Sequence, residues 1–248
     1  MNLLLFADGE VGRTVFDFLA DAHREDIAHV VTIKDNDLSR RAAETGITSS
    51  VFDPGPDFPG SLQRIAPEGK FDLGLLAWWP KIIRQELIDL PRAGLINFHP
   101  SFLPFNRGTH YNFWALAEQC PFGVTLHFVD RGIDSGDIVA QERIPYDWTD
   151  TGGTLYFKAK EAMVELFKKN YSRLRDGAYT RRPQDHPAGS FHSAAELDAA
   201  SRIDLDAQYR ARDLLNLLRA RTFPGHPACY FSDGNKKYEI RVDIREAE

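Results

Sequence analysis

Leu3-Leu4-Leu5-Phe6-Ala7-Asp8-Gly9-Glu10-Val11-Gly12, at the start of the chain, sets its class. An apolar run without alternation describes a strand buried on both faces, as in a parallel sheet covered by helices. Asp8 to Gly12 follows as a turn, and Val11, Val15, Phe18 and Leu19 then recur at helical spacing up to about Ala22. That is a strand-turn-helix unit. Ile27 to Ile33 reads as a second strand, Val51-Phe52 as a weak third and Phe71 to Ala77 as a fourth. Helical stretches near 38–45 and 80–90 alternate with these strands, the second of them after the fourth strand. Strands alternating with helices predict an α/β fold with a doubly wound, mostly parallel sheet.

The bulk properties are those of a folded soluble protein. The chain has 248 residues, enough for one domain with an appendage or for two small domains. With 43% hydrophobic and 27% charged residues it lacks the composition of a disordered chain. A formal charge of −6 counts against a general nucleic-acid binder, because such affinity rests on clustered Lys and Arg. Cys120 and Cys229 are the only cysteines, without metal or redox spacing, and are expected to be free, buried thiols. Leu3 to Ala7 is too short for a signal-peptide core, and no later apolar run approaches a membrane span. A cytoplasmic protein with no membrane partner is expected.

Further along, Asp8-Gly9-x-x-Gly12 lacks the full G-x-G-x-x-G spacing of a dinucleotide loop. Its glycines serve either a tight turn or a grip on a ligand's phosphate at the helix N-terminus, so Asp8 and Gly9 are candidate substrate contacts. After the fourth strand come Trp78-Trp79-Pro80; alternation sends one ring into the core and leaves the other at the mouth where strands end. Pro80 suits the start of a helix from Lys81 to Leu90. Ile138 to Ile144 reads as a strand. Asp150 or Thr151 can cap a long helix over about 152–174, whose stripe of Leu155, Ala159, Ala162, Met163, Leu166 and Phe167 is core. Composition changes near 175, which divides the chain into a catalytic domain (1–175) and a C-terminal appendage (176–248). In the appendage, Ser193-x-x-Glu196 fits a capping box and Asp206 to Arg219 a helix. Cys229 to Phe231 and Tyr238 to Ile244 flank Ser232-Asp233-Gly234-Asn235 as a β-hairpin.

The chemistry lies between Gly94 and Asp137. The strand Gly94-Leu95-Ile96 breaks at Asn97-Phe98-His99-Pro100-Ser101, and the strand Val124 to Val129 empties into Asp130-Arg131-Gly132-Ile133-Asp134-Ser135-Gly136-Asp137. These two loops are expected to meet. Asn97 and His99, two apart on a strand end, point the same way. An amide N–H can hold a carbonyl oxygen as it becomes an oxyanion, a role in which losing one donor costs about 3 kcal/mol. The imidazole can carry a proton near neutrality, and Asp134 can orient it or relay its proton. Singly these residues mean little: Asn-x-His is a common tripeptide, and a His beside Pro at a strand end is more often a loop residue bonded to backbone than a catalyst. Gly132-x-Asp134-x-Gly136-Asp137 would also serve as a tight acidic turn, and it lacks the ligand count of a calcium loop. His110, His127 and His226 read as structural or substrate-adjacent, with no metal-ligand spacing.

In combination, Ile96 to Pro104, Arg107-Gly108, Gly123 to His127 and Asp130-x-Gly132-Ile133-Asp134-Ser135-Gly136-Asp137-Ile138 resemble the folate-dependent formyltransferase family, over roughly residues 1–170. The resemblance implies a Rossmann-like catalytic domain that moves a formyl group from N10-formyltetrahydrofolate to an amine. It implies catalytic roles for Asn97, His99 and Asp134, and no metal. It implies that the pterin lies between Trp78, Trp79, Pro80, Lys81, Ile82 and Ile83 on one side and Val129, Asp130, Gly132, Ile133 and Asp137 on the other. The tail, from Asn216 to Pro224 with Tyr230-Phe231 and Lys236-Lys237-Tyr238, is similar to that of short bacterial sugar N-formyltransferases. The implied acceptor is then a nucleotide-linked amino-dideoxysugar for surface glycans such as lipopolysaccharide O-antigen. A dTDP-4-amino-4,6-dideoxyhexose is favoured over GDP or UDP sugars. Asn106, Arg107 and His110 near the triad, and Arg219, Arg221, Tyr230 and Lys237 in the tail, become candidate acceptor contacts, and a homodimer is expected. The alternatives are a methionyl-tRNA formyltransferase-like enzyme, usually longer and more basic, and a non-catalytic nucleotide-sugar binding protein, against which the intact triad argues.

Overall fold

A seven-stranded sheet positions the site in the computed structural model, which describes residues 1–247. In chain order the elements are β1 (Leu3–Ala7), α1 (Gly9–Ala22), β2 (Ile27–Thr32), α2 (Asp37–Glu44), β3 (Ser49–Val51), α3 (Phe58–Ile65), β4 (Leu73–Ala77), α4 (Gln85–Ile88) and β5 (Leu95–His99). There follow β6 (Arg107–Gly108), α5 (Tyr111–Ala117), β7 (Gly123–Phe128), β8 (Ile138–Arg143) and α6 (Gly152–Arg175). The remainder supplies β9 (Phe191–His192), α7 (Glu196–Ala200), α8 (Ala211–Ala220), β10 (Cys229–Asp233) and β11 (Lys236–Ile240).

The sheet runs β3-β2-β1-β4-β5-β7-β8. Parallel ladders join β1 to β2 and β4, β2 to β3, and β4 to β5. Every residue of β1 and β4 is buried, as the unbroken apolar runs require. Because β2 and β3 extend from one side of β1 and β4 and β5 from the other, the carboxyl ends of β1 and β4 flank a topological switch point, where open α/β sheets bind ligands. Gly12 lets α1 settle there: a Cβ at this position would lie 2.9 Å from the Ala77 carbonyl oxygen and 3.0 Å from the Ala7 carbonyl carbon. Close helix-strand packing therefore accounts for this glycine without a ligand.

Two compact units are interleaved along the chain. One contains residues 1–99, 126–140 and 163–183; the other contains 100–125, 141–162 and 184–248. β7, β8 and α6 contribute residues to both.

Several elements differ from the sequence reading for identifiable reasons. The helix expected from Lys81 to Leu90 shrinks to α4. Ile83, Leu87 and Ile88 do join the core, but Trp78 has φ 58° and Arg84 is extended, so the chain cannot wind between them. α8 begins at Ala211 rather than Asp206, because Asp204 caps the Asp206 N–H and its own N–H donates to the Tyr209 hydroxyl, holding the segment in a turn. Ser193 and Glu196 pair as expected, yet the helix starts only at Glu196. Thr151 and Thr154 cap α6 reciprocally. Gly234, at φ 55°, and Asn235 form the two-residue turn between β10 and β11, which therefore ends at Ile240 instead of 244.

Candidate active site

β5 ends at His99, and the alternation of the strand sets the first half of the site. Ile96 and Phe98 are buried, Phe98 against Phe167 with ring centroids 5.1 Å apart. Asn97 and His99 then share the other face. His99 is 5% exposed. On β7, His127 lies 2% exposed. After β7 the chain turns through a loop that returns Asp134 to both histidines.

That loop is tied from within. Asp130 accepts from the Gly132 N–H at 2.9 Å and from the Ser135 hydroxyl at 2.6 Å. The Phe128 N–H donates to the Asp137 carbonyl at 2.8 Å. Gly136 passes so close to the strand that a Cβ would sit 2.0 Å from the Phe128 carbonyl oxygen. Asp134 itself has φ 49°, a left-handed conformation uncommon outside Gly, Asn and Asp and a recurrent mark of functional loops.

The polar groups converge. The Asn97 amide nitrogen donates to Asp134 Oδ1 at 3.2 Å and lies 3.2 Å from His127 Nε2. His99 Nδ1 is 3.5 Å from Asp134 Oδ2, and His127 Nε2 is 3.5 Å from Asp134 Oδ1. Asn97, His99 and Asp134 thus come together as a donor, a proton carrier and a proton acceptor. His127, read from sequence as structural or substrate-adjacent, is a fourth member of the cluster. Its signal was the polar Thr125 and His127 at alternate positions of an otherwise apolar strand, both facing one side.

The residues expected to hold a pterin divide. Trp79 turns into the core, edge-on to Phe6 at 5.2 Å and Phe52 at 5.3 Å, so its ring is spent on packing. Trp78 stays half-buried, with its Cδ1 3.5 Å from where a Cβ on Gly9 would be. Ile83 is buried in the same cluster as Trp79. Pro80 and Lys81 are exposed, and Ile82 is 90% exposed. In the other loop Ile133 is 55% exposed, while Val129 is packed partly against the core and Asp130 is occupied as the loop's own tie. Asp137 enters through its backbone carbonyl. Asp8 caps α1 through its backbone only, and Gly9, at φ 62°, is exposed. Pro80, Lys81 and Ile82 also line a cleft of about 440 Å³ with Phe52, Asp53 and Arg84.

Among the candidate acceptor contacts, several groups are already engaged. Asn106 is fully buried at φ 54°; its amide donates to Cys120 Sγ at 3.1 Å and its oxygen accepts from the Ser190 hydroxyl at 3.1 Å. Arg219 is 4% exposed and donates to Asn216 Oδ1 and to the carbonyls of Asp147 and Asp150. Asn106 is thus held by two side chains, and Arg219 ties α8 to the turn before α6. Tyr230 bonds Asp198 at 3.1 Å, and Lys237 lies over its ring at 3.5 Å. Arg107 and His110 are only half-buried. Arg107 Nε is shielded from solvent without a hydrogen-bond partner among the described residues. His110 begins α5 at φ 59°, and burial first, then the nearby Arg221, holds its pKa below the usual histidine value. Both thiols are pushed up by burial, Cys120 to about 11 and Cys229 to about 12.

A doubly wound sheet that carries an amide, an imidazole and a carboxylate on adjoining strand ends has the equipment of an acyl-transfer enzyme. The chain belongs to the formyl transferase family, which matches residues 1–170, and residues 196–246 match the N-formyltransferase dimerization C-terminal domain. It is 34% identical over 171 residues to a methionyl-tRNA formyltransferase of Koribacter versatilis, covering 68% of this chain but only 53% of that protein. It is 28% identical over 221 residues to a dTDP-4-amino-4,6-dideoxyglucose formyltransferase of Mycobacterium bovis, covering 87% of this chain and 91% of that one. Its fold is shared by a likely sugar N-formyltransferase of Mycobacterium tuberculosis, with TM-score 0.81 and 23% identity over 100% of this chain and 99% of that one. A 4-N formyltransferase of Francisella tularensis is similar at TM-score 0.79 and 24% identity, over 99% and 98% of the two chains.

Proposed function

We propose that the protein transfers a formyl group from N10-formyltetrahydrofolate to the amine of a nucleotide-linked amino-dideoxysugar, a dTDP-4-amino-4,6-dideoxyhexose before GDP or UDP sugars. The observation that carries this reading is the reach of the similarity: the M. bovis sugar enzyme aligns over 87% of the chain, whereas the methionyl-tRNA enzyme aligns over 68%. The C-terminal family segment supports a homodimer. No helix among the described residues is long and apolar enough to cross a membrane, which is compatible with the cytoplasmic supply of both substrates.

The residues suit the reaction. Ile82 and Ile133 present apolar side chains to solvent on the two loops assigned to the pterin, and a flat ring covering them would remove that apolar surface from water. As the neutral amine attacks the formyl carbon, negative charge develops on the formyl oxygen. The Asn97 N–H and the His99 imidazolium donate to that oxygen. Asp134 takes the proton released by the amine and returns it to the leaving nitrogen; its two oxygens, facing Asn97 and His99, hold both donors in place. Arg107 and His110 are the acceptor contacts retained in this reading.

The test is a panel of dTDP-, GDP- and UDP-linked amino sugars and methionyl-tRNA, each incubated with N10-formyltetrahydrofolate and assayed by mass spectrometry. A gain of one formyl group on a dTDP sugar is expected. Formylation of methionyl-tRNA with no sugar product would overturn the assignment.

A further inference from the structure

We infer that His127 is a positioning residue that fixes the orientation of the Asn97 amide, and that it does so as a neutral ring protonated at Nδ1. The inference rests on the formyl-transfer reading for its kinetic consequence and on geometry alone for the ring's state.

His127 Nδ1 lies 2.8 Å from the Phe128 carbonyl oxygen. A carbonyl only accepts, so Nδ1 carries the proton. In a neutral ring Nε2 is then a bare lone pair, and 3.2 Å from it stands the Asn97 amide nitrogen. The same nitrogen faces Asp134 Oδ1, also an acceptor, at 3.2 Å. Before substrate arrives the two amide protons of Asn97 are therefore directed one to each neighbour; the one facing Asp134 turns to the formyl oxygen as Asp134 takes up the amine's proton, while His127 keeps the other. Flipping the amide would set its oxygen against a carboxylate oxygen and a lone pair, two acceptor-acceptor contacts in a site where the imidazole is 2% exposed. Asp134 alone leaves the second proton of the amide undirected; His127 supplies the other anchor.

Protonation of His127 would reverse this. An Nε2–H would oppose the Asn97 amide and turn to Asp134 Oδ1, 3.5 Å away, competing for the carboxylate that also faces His99 Nδ1 at 3.5 Å. Among the described residues, Asp134 and His99 are the titratable groups placed against this ring, and the centroids of the two histidine rings lie 6.0 Å apart. The oxyanion donor thus depends on a buried base outside the set of Asn97, His99 and Asp134.

Two measurements test the assignment. Nitrogen-15 shifts of the His127 ring in the wild-type protein at pH 7.5 read the tautomer directly; Nδ1–H is expected. An Nε2–H tautomer or an imidazolium at that pH would overturn the proposal whatever the enzyme's substrate. In kinetics, His127→Leu keeps the bulk and loses the acceptor, and a 10- to 100-fold fall in kcat is expected with both KM values within twofold. His127→Gln, which can return an oxygen acceptor near the position of Nε2, should recover at least half of that loss on a logarithmic scale. His127→Leu should add less than threefold to the defect of Asn97→Ala, because the effect passes through Asn97. Full additivity of the two variants, or no recovery by Gln in a protein that folds, would refute positioning through Asn97.

Discussion

Asp134→Asn removes proton acceptance at this site while keeping the backbone and shape of the loop. Asp134 sits at φ 49°, which Asn adopts more readily than most residues, so the loop should not shift. Asn is isosteric, and its oxygen can still accept from the Asn97 amide, now 3.2 Å from Oδ1, while its NH2 takes the place of Oδ2, 3.5 Å from His99 Nδ1. What disappears is the capacity to accept a proton, together with the acceptor that faces His99 Nδ1, since an NH2 there opposes the ring's own N–H. General acid-base catalysis contributes about 10²- to 10⁴-fold, equivalent to roughly 2.7 to 5.4 kcal/mol at about 1.36 kcal/mol per decade. The loss should fall on kcat, since the removed interaction strengthens only as the amine gives up its proton. Steady-state formyl transfer with the productive sugar from the panel measures it, with urea unfolding as a control expected to change by less than about 1 kcal/mol. A kcat within tenfold of wild type, or a loss expressed wholly in KM, would show that Asp134 is not the proton acceptor.

Gly136→Ala drives a Cβ to 2.0 Å from the Phe128 carbonyl oxygen and displaces the loop carrying Asp134; a fall in kcat of about tenfold or more is expected from misplacing the carboxylate by about 1 Å. Arg219→Met removes a buried guanidinium from Asn216 and two carbonyls, so denaturant unfolding should register a loss of about 2 to 4 kcal/mol, with the sugar KM within twofold. His29 is held neutral by burial, its pKa lowered to about 4, while its ring bonds Thr48 and Ser50. The unfolded chain binds that proton below its ordinary value of 6.5, so stability falls as pH drops from 6.5 towards 4. A urea series across that window should show the loss, on the order of 3 kcal/mol at most, and His29→Gln should flatten it.

Much of the fold was legible because parallel strands announce themselves: β1 and β4 are buried on both faces and had to be continuous apolar runs. The Asn97–His99 spacing was legible for the same reason, since alternation along β5 places both side chains on one face whatever the strand packs against. The helix after Pro80 differs because Ile83, Leu87 and Ile88 have helical spacing and do reach the core, yet Ile82 just before them is 90% exposed and the backbone stays irregular as far as Arg84. Periodicity reports which residues are buried, and here it could not report how the chain carries them there.

The acceptor contacts were harder to read for a more general reason. Charge and hydrogen-bonding capacity are properties of a residue type, whereas availability depends on which backbone carbonyls come within reach. Arg219 and Arg107 look alike in sequence. Three acceptors from α8 and the turn before α6 close around Arg219 and leave it 4% exposed, whereas Arg107 Nε is shielded from solvent without a partner among the described residues. A desolvated, unsatisfied guanidinium donor costs stability unless a ligand completes it. That asymmetry ranks the two arginines where sequence could not: Arg107→Ala should raise the KM for the nucleotide sugar without destabilising the fold, and Arg219→Met should do the reverse. If both variants lost stability alike and neither changed KM, Arg107 too would be a tie within the fold, and acceptor recognition would have to rest elsewhere.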